Sequence, residues 1–179
     1  DAVARYYGEV KKLAGDKHEA ADTQAKMLAD RAFQLTADPT KTSGAPVMLK
    51  PVPKFELAPL ENAIARLKKS AQVYDSAVAK NAAKLPQQGK ARLWGLMQGI
   101  DQTLAPEKVG LAGGRGWYKN LVYAPGRFTG YGAKTLPGVR EAIEDERWDD
   151  ANQYAKLTAD ALSAYSARLD QAMAVLNGK

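Results

Sequence analysis

The stretch PLENAIARLKKSAQVYDSAVAKNAAK, residues 59–84, decides the fold. Counting from Leu57, the apolar side chains of Leu60, Ile64, Leu67, Ala71, Tyr74 and Val78 recur at alternating steps of three and four. That spacing gathers them on one face of a helix and gives an unbroken heptad seam. Arg66, Lys68, Lys69 and Lys80 occupy the other faces, and Pro86 closes the segment. A helix with one apolar seam must bury it against other helices, so the stretch predicts a helical bundle.

Working outward, the same pattern returns. Leu93, Leu96, Met97, Ile100 and Leu104 predict a helix from about Gln88 to Leu104, ended by Ala105-Pro106. Trp148, Ala151, Ala155, Thr158, Leu162, Tyr165, Leu169, Ala172 and Leu176 predict a long final helix, and Asn177-Gly178 is a common stop. At the other end, Val3, Tyr6, Val10 and Leu13 share a face in a helical pattern from about Ala2 to Thr36. Gly15-Asp16 is a candidate break within it. Five prolines between Asp38 and Pro59 rule out a helix there and make 38–59 an extended surface connector. Pro137 suits the first turn of a short helix carrying Val139, Ala142 and Ile143, with Thr135 as its cap or next to the cap. No repeat of fixed period is visible, which argues against a solenoid. The expected fold class is all-α: a single domain over 1–179, an antiparallel four-helix-bundle-like unit with a long ordered aromatic loop before the last helices.

Composition narrows the function. The net charge of +6 is modest, and Lys and Arg alternate with Asp and Glu along the helices, so no basic block points to nucleic acid. The absence of cysteine removes thiol catalysis and thiolate metal sites. The one histidine, His18, stands between Lys17 and Glu19, whereas a zinc site needs several converging ligands. Ser70, Ser76, Ser163 and Ser166 lie within helical patterns, and none sits in a nucleophile turn. No apolar run is long enough to span a bilayer. The opening DAVARYYGEV has neither an initiator methionine nor a signal-peptide layout, so a processed product or fragment is expected.

One stretch escapes every periodicity: WYKNLVYAPGRFTGYGAKTLPG, residues 117–138. It holds five aromatics, Trp117, Tyr118, Tyr123, Phe128 and Tyr131, with Lys119, Arg127 and Lys134, and no acidic residue. Long loops in compact domains are disordered or functional, and disordered ones are poor in aromatics. Tyrosine hydroxyls, a guanidinium and backbone N–H groups near Gly126, Gly130 and Gly132 can cup a carboxylate. Equally, the aromatics can form a packed lid or an interface. Gly113-Gly114-Arg115-Gly116 lacks the spacing of a phosphate-binding loop and reads as a hinge. Glu141, Glu144, Asp145 and Glu146, just beyond, read as an acidic helix end facing solvent.

The run WYKNLVYAP at 117–125, followed by Tyr131 and Leu136-Pro137-Gly138, resembles the C-terminal helical domain of the glutamate carboxypeptidase II family, a transferrin-receptor-like dimerisation domain. AVARYYGEV, FELAPLENAIARLKKSAQVYD and ARLWGLMQGIDQTL resemble that domain's first three helices, while 16–54 fits the pattern less well. The resemblance implies a non-catalytic domain, without cofactor of its own, that forms a homodimer and closes the substrate pocket of a preceding peptidase domain. That separate domain would carry two zinc ions and the catalytic glutamate. It also implies that the loop meets the C-terminal residue of a peptide substrate. Tyr131 falls on a tyrosine that contacts a terminal glutamate, with Thr129, Gly130 and Arg127 as neighbouring substrate-binding positions. Gly130 stands where the glutamate-cleaving members carry lysine, so glutamate selectivity is not expected to carry over intact. The alternative is a pure dimerisation or interaction module in a transferrin-receptor-like parent without peptidase activity.

Overall fold

A computed structural model describes residues 2–32, 47–128 and 132–178 of the chain. Helix α1 covers Ala2–Ala29, α2 Ala58–Asn81 and α3 Gln87–Met97. Two short strands follow, β1 (Tyr123–Pro125) and β2 (Ala133–Thr135), then α4 (Pro137–Glu144) and α5 (Trp148–Leu176). Short 3₁₀ turns at Ala82–Lys84 and Ile100–Leu104 extend α2 and α3. Among the described residues the fold is all-α apart from one small hairpin.

The fold uses the α2 seam read from the sequence in part: Leu60 is buried and Ile64 and Leu67 pack half-buried against the core, while Ala63, Ser70 and Ala77 beside the seam are buried. Helices α2 and α5 form the most extensive pairing, and α4 packs across α5. Val10, Leu60, Leu121, Leu136, Ile143 and Leu162 are fully buried in the main core. A smaller cluster of Ala77, Leu85, Val175 and Leu176, backed by Leu93 and Leu96, closes the far end. Burying each leucine stabilises the fold by about 1.5–3 kcal/mol, so these layers organise the domain without metal or disulfide.

Two local expectations are corrected and a third is decided between its alternatives. Helix α1 runs through Gly15-Asp16 without a break, because glycine within a helix costs only about 1 kcal/mol relative to alanine and the Lys12–Asp16 ion pair spans that turn. The helix expected to reach Leu104 stops at Met97: Gly99 takes a left-handed conformation (φ 76°), and Ile100–Leu104 continues as 3₁₀. Thr135 lies next to the cap of α4 and ends β2, while buried Leu136 fills the cap position at φ 47°, a strained value for a side chain with a Cβ. The stretch 47–57 has no regular structure, as the prolines require. The rest of the expected first helix, beyond residue 32, and the connector's 38–46 lie outside the described residues.

Candidate functional site: a hairpin held by a buried ion pair

The aperiodic loop is built in two tiers. Its first tier, 105–122, lies over α5. The Tyr154 hydroxyl donates to the Gly110 carbonyl at 2.8 Å, and burial raises the pKa of that phenol. A Cβ on Gly110 would stand 2.1 Å from the Gly116 carbonyl oxygen, so this crossing of the chain requires glycine. The Leu121 N–H donates to the Leu104 carbonyl, and the Asn120 side chain accepts from the N–H groups of Val122 and Tyr123. Asparagine suits such a turn because its side chain mimics a backbone acceptor.

The second tier is the hairpin. Tyr123, Ala124 and Pro125 pair antiparallel with Thr135, Lys134 and Ala133. Each strand is short, and α4 anchors both. Glu141 is 6% exposed: one carboxylate oxygen pairs with the Arg115 guanidinium and the other accepts the backbone N–H of Arg127 at 3.1 Å. Arg115 also donates to the Pro125 carbonyl at 2.6 Å, which ties the first tier, the hairpin and α4 together. On the other strand Lys134 pairs with Glu144. Arg140 donates to the Thr135 carbonyl and, at 2.6 Å, to Glu9 of α1.

These contacts correct one expectation and qualify another. Glu144, Asp145 and Glu146 are exposed, as an acidic helix end facing solvent requires, but Glu141 is buried, and Glu144 and Asp145 are engaged by Lys134 and Arg127. Part of the loop's surplus of cations is thus neutralised from outside its own sequence, since Arg127 and Lys134, with Arg140 just beyond, have carboxylate partners. Arg115 and Glu141 were not legible as a site. The signal available was complementary: no acid within 117–138 and a cluster of acids directly after it.

Of the expected substrate-binding residues, Arg127 is described. Its guanidinium lies 2.9 Å from Asp145 and stacks 4.4 Å from the Phe128 ring centroid. Thr129, Gly130 and Tyr131 fall outside the described residues. The aromatics divide: Tyr118 packs against the core, whereas Trp117, Tyr123 and Phe128 are exposed, the last by 85%. His18 is exposed, 3.8 Å from Asp22. Among the described residues no group of three or more His, Asp or Glu side chains converges as a metal site, and no helix is long and apolar enough to cross a membrane.

The described residues thus form a helical unit with a hairpin braced on α4 and the first tier. Residues 55–170 match the transferrin receptor-like dimerisation domain, and the chain belongs to that family. A curated relative is the probable glutamate carboxypeptidase LAMP1 of Arabidopsis thaliana, 46% identical over 33 residues, or 18% of this chain. The matched stretch spans 5% of that relative's length.

Proposed function

We propose that this chain is the non-catalytic helical domain of a larger di-zinc carboxypeptidase or dipeptidase, in which it pairs two subunits and closes the substrate pocket. The observation that carries this reading is the family match over 55–170. The likeness to a probable glutamate carboxypeptidase supports the peptidase parent. The two zinc ions belong to the peptidase domain, where they activate water for hydrolysis.

The hairpin supplies the closing surface. Arg115, Glu141, Lys134 and Arg140 brace its two strands against α4 and the first tier. In this reading Tyr131 donates its hydroxyl to the α-carboxylate of the substrate's C-terminal residue, with Thr129, Gly130 and Arg127 as its neighbours in the pocket. Arg127 is also paired with Asp145. With glycine at 130, the pocket lacks the cation that a glutamate side chain would favour, which relaxes selectivity toward other C-terminal residues. A second reading, a pure interaction module in a non-peptidase parent, draws on that same missing cation.

Sedimentation equilibrium tests subunit pairing: the chain should self-associate, and a monomer at all concentrations contradicts the proposal. For the pocket, Tyr131→Phe in the full-length enzyme should weaken substrate binding by roughly 0.5–3 kcal/mol, the range for neutral to charged hydrogen bonds. An unchanged KM for a dipeptide substrate contradicts the role of Tyr131, and a full-length protein that cleaves no dipeptide favours the interaction module.

A further inference from the structure

The alternation of charge along the helices lapses in one helical stretch. No acidic residue stands between Ser76 and Ile100, a run that holds Lys80, Lys84, Lys90 and Arg92 and is bounded by Asp75 and Asp101. The fold places it at one end of the bundle, as the last turn of α2, the 3₁₀ turn Ala82–Lys84 and the whole of α3. All four cations are exposed, and none has an ion-pair partner among the described residues. The hairpin matches its cations with carboxylates; this end of the molecule leaves its own unmatched.

Helix α3 shows what that charge surrounds. Its inward side is set by Leu93 and Leu96, which back the small core cluster, and by Gly89, where a Cβ would stand 2.8 Å from the Leu85 side chain. The opposite side carries Ala91, Trp94 and Gly95, all exposed, Trp94 by 70%. At about 3.6 residues per turn, Lys90 and Arg92 fall on the two edges of that outward face. A single exposed apolar side chain is ordinary. An indole set between lysine and arginine on an acid-free helix is a pattern, because that ring suits a boundary between an apolar and a wet phase. Peptides are held in grooves or along sheet edges, and the outward side of α3 is neither. It is a convex helix surface, with Gly95 beside Trp94 leaving open space where a side chain would stand. Such a face fits a broad, deformable plane of negative charge, which the indole enters while the long basic side chains reach the headgroups.

We propose that the α3 end of the domain is a peripheral docking surface for anionic lipid, in which Trp94 enters the headgroup layer and Lys80, Lys84, Lys90 and Arg92 meet acidic headgroups. The contact is made at the membrane surface and needs no spanning helix; among the described residues none is long and apolar enough to be one. It shares no residue with the hairpin, and so goes beyond the function proposed above.

Co-sedimentation of the whole chain with lipid vesicles tests this. The protein should bind vesicles of mixed phosphatidylserine and phosphatidylcholine, bind pure phosphatidylcholine far less, and come off as salt is raised. Lys90→Gln and Arg92→Gln should each weaken binding about fivefold, the worth of one basic side chain at an acidic surface. Trp94→Ala should weaken it on the order of tenfold through lost apolar contact. Lys156→Gln, which removes the same charge from an exposed position on α5, should leave binding almost unchanged. Brominated lipid should quench tryptophan fluorescence in the parent chain and not in Trp94→Phe, although Trp117 and Trp148 remain. The substituted side chains are all exposed, so folding is preserved, as circular dichroism would verify. Absence of binding to the phosphatidylserine vesicles at low salt overturns the proposal. So does binding that Lys156→Gln weakens as much as Lys90→Gln, which would reflect net charge alone, and so does capture by polyglutamate or single-stranded RNA without capture by vesicles.

Discussion

Glu141 shows how much one side chain can organise. Its carboxylate receives Arg115 on one oxygen and the Arg127 N–H on the other, in a site where Glu141 is 8% and Arg115 15% exposed at the side chain. Removing one partner of a buried pair leaves the other charge uncompensated. Glu141→Ala should therefore destabilise the domain by about 3–5 kcal/mol in urea unfolding. Gly138 is a second single-residue constraint, because a Cβ there would stand 2.4 Å from the Tyr154 ring. Gly138→Ala should cost about 1–3 kcal/mol through overpacking, read from the same unfolding curves. Tyr7 provides a pH signature. Burial, with Glu61 accepting its hydroxyl at 2.8 Å, pushes its pKa up to about 12 from an ordinary value of 10.0. The folded state thus holds this proton more tightly than the unfolded chain. The resulting stabilisation is complete below pH about 10 and is lost as pH rises through about 12. Tyr7→Phe should flatten the alkaline fall in stability between those values, measured by urea unfolding across the pH range.

At the scale of elements, periodic segments were legible and aperiodic ones were not. The α2 and α5 seams could be read because a heptad repeats its message every two turns, and the structure buries Leu60, Leu162 and Leu169 as that repeat demands. The reading of α3 ran too far because Leu96, Ile100 and Leu104 keep helical spacing through Gly99, whose left-handed backbone ends the helix. Gly99→Ala should cost about 1–2 kcal/mol, the penalty for a Cβ in that conformation, and its effect should appear in thermal unfolding. The hairpin was invisible for another reason. Strands of three residues carry too little alternation to read, and the register from Tyr123–Thr135 to Pro125–Ala133 is fixed by α4, which lies outside the loop.

At the scale of the whole molecule, the braced hairpin is held by α4 and by the first tier of the loop, and the proposed function sets it against a peptidase domain. In the full-length protein Glu141→Gln should therefore raise KM while leaving the dimer intact in sedimentation. The sequence by itself determined the class of fold, since helical periodicity and proline placement are local and additive along the chain. Through its loop motif it also determined the family resemblance, and the match over 55–170 agrees. Only the tertiary structure decided where the loop's charges go. Lys119, Arg127 and Lys134 read as an anion-binding surplus until the fold brought Asp145 and Glu144 against the last two, and Glu9 against Arg140 just beyond. The pairing of Arg140 with Glu9 spans 131 positions, and no local pattern encodes such a contact. It exists because burying the α2 and α5 seams fixes where α1 and α4 must lie.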